Sequence, residues 1–276
     1  MINISVIIPS YKPQSYIYEC LLSLNEQTYS KKFFEVIIIL NGCNEPYKSN
    51  IINYIKENLA EMNIQLFQTD IPGVSNARNI GLNNSQGQYI CFIDDDDVIS
   101  PNYLCGLIKK ANQDTIVISN VLSFKYNINE KRKNFFICKK LRHKEKYINA
   151  SLFINRSFLA FPVAKIIHKH IIGNRRFDNR FKNGEDALFM TSISNKIKNI
   201  CFTEDDSIYY VRERIGSASR RKFHALSLTI ETMQLLNAYI KTYFKQPFSY
   251  NLLLFLSRIP GVIKGAINLY IKGKFF

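Results

Sequence analysis

Residues 88–102 read QYICFIDDDDVISPN, and the fold turns on how this stretch is read. An apolar run at 89–93 ends on four consecutive aspartates, Asp94, Asp95, Asp96 and Asp97. The run reads as a buried strand that delivers carboxylates to the carboxyl edge of a sheet, where open α/β sheets bind ligands. Four adjacent carboxylates repel one another, so a positive charge is expected among them. A hard divalent cation, Mg2+ or Mn2+ shared with substrate phosphates, meets that demand. The bland alternative is a solvated acidic turn, but such turns follow polar sequence and this one ends a strand. Ser100-Pro101 then reads as a helix start, with Ser as N-cap and Pro at the first helical position.

Upstream of this strand the sequence alternates between two periodicities. Residues 2–8 alternate and then turn wholly apolar up to Pro9, as a central strand does. Ile17, Cys20, Leu21 and Leu24 keep helical spacing. Residues 34–40, FEVIIIL, form a second buried strand that Asn41-Gly42 breaks, and Ile51, Ile52, Ile55 and Leu59 mark a second helix. A third strand follows at 64–69, then a helix carrying Val74, Ala77, Ile80 and Gly81. Strands alternating with helices across short loops predict a doubly wound, parallel sheet. Neither GxGxxG nor GxxxxGK[ST] follows the first strand, so a dinucleotide-binding fold and a P-loop are both unsupported.

Downstream the pattern is less regular. A strand is expected at 115–119, an irregular basic excursion at 125–146, a helix at 185–193 and a strand at 208–211. Pro247 and Pro260 are expected to divide the C-terminal part into three helical pieces.

Composition narrows the class. The 276 residues permit a full core, and Lys and Arg outnumber Asp and Glu 37 to 22, a net charge of +15 that suits anionic partners. The six cysteines are scattered without a CxxC pair, which fits a reducing compartment better than zinc or disulfides. The chain opens on a strand, so no signal peptide is expected, and no apolar run is read as reaching the ~18 residues of a membrane span.

Four pieces, VIIPSYK at 6–12, GVSNARNIGL at 73–82, GQYICFIDDDD at 87–97 and FKNGEDALF at 181–189, stand in this order. Together they resemble the inverting glycosyltransferases of family 2. The resemblance is strong to about residue 110, moderate to about 215 and absent beyond, as motif-anchored resemblances go. It implies an α/β, GT-A-like fold: a single Rossmann-type open sheet of mostly parallel strands flanked by helices, plus a C-terminal helical extension. Residues 1–115 would form the nucleotide-sugar-binding half, 116–215 the acceptor-binding half, and 216–276 a helical segment.

The resemblance also implies roles. Pro9, Ser10 and Tyr11 would line the base of the donor, and Asn41 stands where the family often has an Asp that reads uracil. Arg78 would face the phosphates. Asp94 and Asp96 match the DxD motif, with Asp94 and Asp95 on the nucleotide-sugar and Asp96 and Asp97 on Mn2+ or Mg2+, the register within the four being open. Glu185-Asp186 matches the acidic pair near the acceptor, where one carboxylate takes the proton of the attacking hydroxyl; Asp186 is the first choice and Glu185 the second. Lys165 and Arg212 would touch the acceptor, and Arg214, Arg220 and Arg221 could reach a diphosphate.

The implied reaction moves a sugar from a nucleotide-sugar, a UDP-sugar by resemblance, to a saccharide or lipid-linked acceptor in capsule, lipopolysaccharide or exopolysaccharide synthesis. It implies a cytoplasmic enzyme, peripheral at the inner face of the membrane, with no nucleic-acid partner; the oligomeric state is open. The rivals are a nucleotidyltransferase, a basic nucleic-acid-binding protein, and an inactive relative that scaffolds an assembly. The first lacks a Gly-rich basic loop after strand one, the second a basic face with a binding motif, and the intact acidic stretch opposes the third. Residues 252–256 and 262–276 read as interfacial helices with lysines at the headgroups, the alternative being that they pack on the domain.

Overall fold

The computed structural model describes residues 2–132, 137–214 and 225–274. In chain order its strands are β1 (Ile4–Ser10), β2 (Phe34–Asn41), β3 (Ile64–Thr69), β4 (Tyr89–Phe92), β5 (Val98–Ile99), β6 (Thr115–Ile118), β7 (Asn120–Phe124), β8 (Lys165–His168), β9 (Asn199–Phe202) and β10 (Ile208–Arg212). Its helices are α1 (Tyr16–Asn25), α2 (Tyr47–Asn58), α3 (Val74–Asn84), α4 (Tyr103–Lys109), α5 (Cys138–Leu141), α6 (Lys169–Ile172), α7 (Glu185–Ser192), α8 (Ala225–Lys245) and α9 (Leu252–Lys274).

Seven strands form one sheet in the order β3-β2-β1-β4-β8-β6-β9. All neighbours are parallel except β8, which runs antiparallel to both β4 and β6. The mostly parallel sheet expected from sequence is therefore present. A second sheet, β5-β10-β7, was not expected. It arises because β10 pairs with the two residues that leave the acidic turn, Tyr209 opposite Ile99 and Tyr210 opposite Val98.

Every residue of β1 and β2 is buried, which is why both read as continuous apolar runs. Strands covered on both faces need no polar side, and each buried Ile or Val contributes about 1.5–3 kcal/mol. The one acid among them, Glu35, accepts from Ser5 Oγ, Gln65 Nε2 and the Gln86 amide. The chain runs β1 to β2 to β3 in one direction and then returns to place β4 on the other side of β1. The switch point, where such sheets bind ligands, thus lies between the carboxyl ends of β1 and β4.

Three local readings are corrected. The first strand does not stop at Pro9 but runs through Ser10. Pro9 shares the parity of Ile7, whose carbonyl takes the last bond from the β4 side, at Ile93; beyond it β4 has ended, so the missing N–H costs no ladder bond. Ser100 does not cap a helix. Its hydroxyl donates to the Asp206 carbonyl and accepts the Ile208 amide, and the helix begins only at Tyr103. Pro260 does not divide the C-terminus either, because α9 runs through it. Contacts on both sides of the proline, Leu254, Phe255 and Arg258 before and Val262 after, outweigh the bond it removes.

Candidate active site

The acidic turn is built by alternation. Asp94 presents a side chain 40% exposed, and that of Asp96 is 13% exposed at the edge. Asp95 and Asp97 turn inward and are buried. Asp95 Oδ2 accepts the Ser10 hydroxyl at 2.6 Å, which ties the end of β1 to the turn. Burial, reinforced by Asp96 and Asp94, raises its carboxyl to about 7. Asp97 Oδ1 accepts the Arg212 amide at 2.8 Å. The Tyr209 hydroxyl, which accepts the Asp94 amide at 3.1 Å, also bonds Asp97. Burial and the neighbouring aspartates raise the Asp97 carboxyl well above the usual range. Asp97, expected beside Asp96 as a metal ligand, thus faces β10 and holds the turn on it, while Asp94 and Asp96 are the pair that faces outward.

Arg78 lies above this pair because α3 packs unusually close to the sheet. A Cβ on Gly81 would stand 2.4 Å from Ile7 Cγ2, so only glycine admits this approach. Arg78, one turn earlier on the same face, then reaches over the carboxyl edge. Its guanidinium bridges two acids, Nη1 to Asp186 Oδ1 at 2.6 Å and Nη2 to Asp94 Oδ1 at 3.0 Å. It lies 5.3 Å from the Phe177 ring centroid, and Phe177 stacks on Phe189 of α7 at 3.8 Å. The arginine is buried, and the carboxylates around it keep it charged despite the desolvation.

Glu185 and Asp186 open α7 directly after Gly184, whose φ of 82° few other residues adopt without strain. Glu185 is buried and its carboxyl is pushed up to about 7, by desolvation first and then by Asp186. Asp186 is raised as well, by burial, against the opposing pull of Arg78. Its side chain is 28% exposed, so it is the member of the pair that a bound molecule can touch.

The remaining expected residues divide. Tyr11 stands exposed beside Ser10 at the mouth. Asn41 is buried, its Nδ2 donating to the Ser10 carbonyl and its Oδ1 accepting the Gly73 amide, so it ties the ends of β1 and β2 to the loop before α3. Lys165 is fully buried, donates to the carbonyls of Phe161 and Val163, and is held well below the usual lysine range by desolvation. Arg212 donates from Nε to the Asp96 carbonyl and from Nη2 to Glu19, and lies over the Phe124 ring at 4.5 Å. In this structure both side chains are engaged in contacts within the fold.

Arg214 is the cation at the mouth. It pairs with Asp96, donates to the Tyr16 hydroxyl at 3.0 Å and lies over the Tyr16 ring. Arg220 and Arg221 lie outside the described residues. Tyr16, Glu19 and Tyr209 carry no sequence signal of their own, because their part depends on β10 and α1 meeting the turn.

A switch-point cleft with outward aspartates, a bridging arginine and an acidic pair at a helix start has the makings of a transferase-type site. The chain belongs to glycosyl transferase family 2, whose model matches residues 5–179. The chain is 31% identical to glycosyltransferase GlyA of Streptococcus pneumoniae over 79% of its length and 32% of GlyA. It is 25% identical to the poly(ribitol-phosphate) beta-N-acetylglucosaminyltransferase TarS of Staphylococcus aureus over 78% of its length and 36% of TarS. The chain thus spans about a third of the length of these two relatives. In fold it matches S. aureus TarS 1–349 in complex with UDP-GlcNAc with a TM-score of 0.69, at 19% identity, over 100% of this chain and 73% of that one. It also matches a Pyrobaculum calidifontis mannosyltransferase in complex with GDP-Man and Mn2+ with a TM-score of 0.62, at 14% identity, over 97% and 73% of the two chains.

Proposed function

We propose that this protein transfers a sugar, with inversion, from a UDP-sugar to a hydroxyl of a saccharide or lipid-linked acceptor during synthesis of a cell-surface polymer. The observation that carries the reading is the Arg78 bridge. One guanidinium holds Asp94 of the strand-end turn and Asp186 of the acidic pair, so two motifs distant in sequence share one cleft. The UDP preference rests on the TarS complexes with UDP-GlcNAc and UDP.

The outward carboxylates fit a divalent cation. Mg2+ and Mn2+ are bound through one or two carboxylates completed by substrate phosphates, and Asp94 and Asp96 supply that donor set. The Arg214 guanidinium beside Asp96 already satisfies a demand for positive charge there. When bound, the metal supplies charge stabilisation to the departing diphosphate. Ser10, Tyr11 and the wall braced by Asn41 receive the nucleotide. Arg78 keeps Asp94 aligned and adds positive charge at the phosphate side. Asp186 takes the proton of the acceptor hydroxyl as it attacks the anomeric carbon opposite the leaving group. Arg78 occupies Oδ1 of Asp186 and leaves Oδ2 for that proton. Glu185, buried behind it and poised at about 7, keeps a second carboxylate near the reacting proton.

Thermal denaturation with a panel of nucleotide-sugars, with and without Mn2+, tests the donor. A ligand at 100 times its dissociation constant adds about 2.7 kcal/mol, so UDP compounds with Mn2+ should raise the melting temperature by several degrees. The reading loses if UDP compounds do nothing in Mn2+ while RNA or DNA shifts the melt. NMR coupling at the anomeric proton of the product reads inversion directly.

A further inference from the structure

Helix α7, which starts with the acidic pair, is gripped at both ends by the C-terminal hairpin of α8 and α9. At its start, a Cβ on Gly184 would stand 2.7 Å from Leu235 Cδ2 of α8, so Leu235 fills the space that glycine leaves. Leu188 and the preceding Phe181 enter a buried cluster with Leu235, Ala238, Tyr239, Tyr250 and Phe255. Just upstream, the Lys182 amide donates to Glu231 Oε1 at 3.2 Å. At the far end, Arg258 Nε donates to Thr191 Oγ1 at 2.9 Å and the Tyr250 hydroxyl donates to the Ser192 carbonyl at 3.0 Å. The Arg258 fork also reaches the carbonyls of Arg156 and Leu159. A buried arginine satisfied by carbonyls and a hydroxyl is costly to place and hard to shift, so it fixes the hairpin to the domain.

We propose that the hairpin is the positioning element for the acidic pair, with Leu235 setting the entry of α7 and Arg258 and Tyr250 setting its end. The proposal rests on the reading that Glu185 and Asp186 act on the acceptor. An eight-residue helix is too short to be stable alone, and a displacement of about 1 Å at a reacting group costs on the order of 100-fold in rate. Leu235, Tyr250 and Arg258 are positioning residues: they reach the reaction only through α7.

The test uses full-length protein carrying Leu235→Ala, Leu235→Met or Tyr250→Phe. Three quantities are read: amide hydrogen exchange across residues 185–192, turnover in sugar transfer, and UDP affinity with Mn2+ by calorimetry. Leu235→Ala should speed exchange in α7 and lower turnover roughly 10- to 100-fold, while UDP affinity stays within about twofold because Leu235 packs on Gly184 and the cluster of Phe181 and Leu188 beside α7. Leu235→Met should restore both. Tyr250→Phe, which removes one hydroxyl, should show a smaller effect of the same sign and serves if the alanine variant fails to fold. Unchanged exchange in α7, or faster exchange with wild-type turnover, overturns the proposal. The acidic-pair reading fails separately, by wild-type turnover of Asp186→Asn, whatever the exchange data show.

Discussion

Arg78 joins two carboxylates on one planar fork, and the four aspartates below it divide by parity into two that face the cleft and two that hold the turn. The parity makes paired expectations at single residues. Asp96→Asn keeps the shape and removes a negative oxygen donor at the edge. Turnover in Mn2+ should fall by several orders of magnitude while the melting temperature changes little. Asp97→Ala acts on the other side of the turn. It strips the acceptor from the Arg212 amide and the Tyr209 hydroxyl, and each buried group left unpaired costs about 1–3 kcal/mol. Its main effect should be a lower melting temperature. Near wild-type turnover of purified Asp96→Asn would remove that residue from the site, and unchanged melting of Asp97→Ala would remove Asp97 from the turn. The outward aspartates and Arg78 could be singled out from the motifs. The inward fate of Asp97, Lys165 and Arg212 could not, because a charged residue's burial is decided by partners that only the fold brings near.

At the scale of elements, α7 carries its acids where both a short helix and a buried cleft act on them. The Glu185 carboxyl stands at about 7 in the folded chain, against about 4.3 for an unperturbed glutamate. A raised folded value favours the folded state at low pH, fully so below the unfolded value, and the contribution is lost as pH rises through the folded one. Wild type should therefore lose stability relative to Glu185→Gln between about pH 4.5 and 7, with the difference level above that window. Denaturant midpoints of the two proteins across this range measure it, and parallel curves would mean that Glu185 ionises freely. The elements that frame this helix were unequally legible. β1 to β4 and α1 to α3 follow from continuous apolar strands and helical spacing. The five-residue β7 and four-residue β8 lie in sequence that gives no sustained alternation, and the antiparallel β8 breaks the strand-then-helix rhythm that revealed the rest. The continuous α9 was hidden by Pro260, whose local cost tertiary contacts overrule.

At the scale of the whole molecule, the hairpin that grips α7 turns a second apolar face to solvent. Ile230, Met233, Ile240 and Phe244 of α8 are exposed at spacings that share one side of a helix, and Phe248 between the helices is 94% exposed. On α9 the exposed set is Leu252, Leu253, Leu256, Ile259, Ile263, Ile267, Tyr270 and Ile271. Read as two pieces, this segment cannot span a bilayer; as one helix, Leu252–Ile271 is 20 residues with mean hydropathy 1.5, long and apolar enough to cross one. Arg258 argues for a different placement. It is buried against the catalytic domain, so the first half of α9 cannot leave the domain without stranding a charge. A face this apolar, rimmed by the exposed Lys241, Lys245 and Lys264, suits the headgroup boundary of an anionic membrane, where each basic residue contributes about 1 kcal/mol. A second copy of the chain seated on α8 is the competing occupant. Full-length protein should sediment with vesicles containing phosphatidylglycerol at low salt, and about 0.5 M salt should weaken this by shortening the screening length. Phe244→Asp and Phe248→Asp together should abolish sedimentation without lowering UDP affinity, since neither residue touches the cleft. If wild type ignores the vesicles and sediments as a dimer that Phe244→Asp dissociates, the exposed face belongs to a second copy and the membrane placement falls.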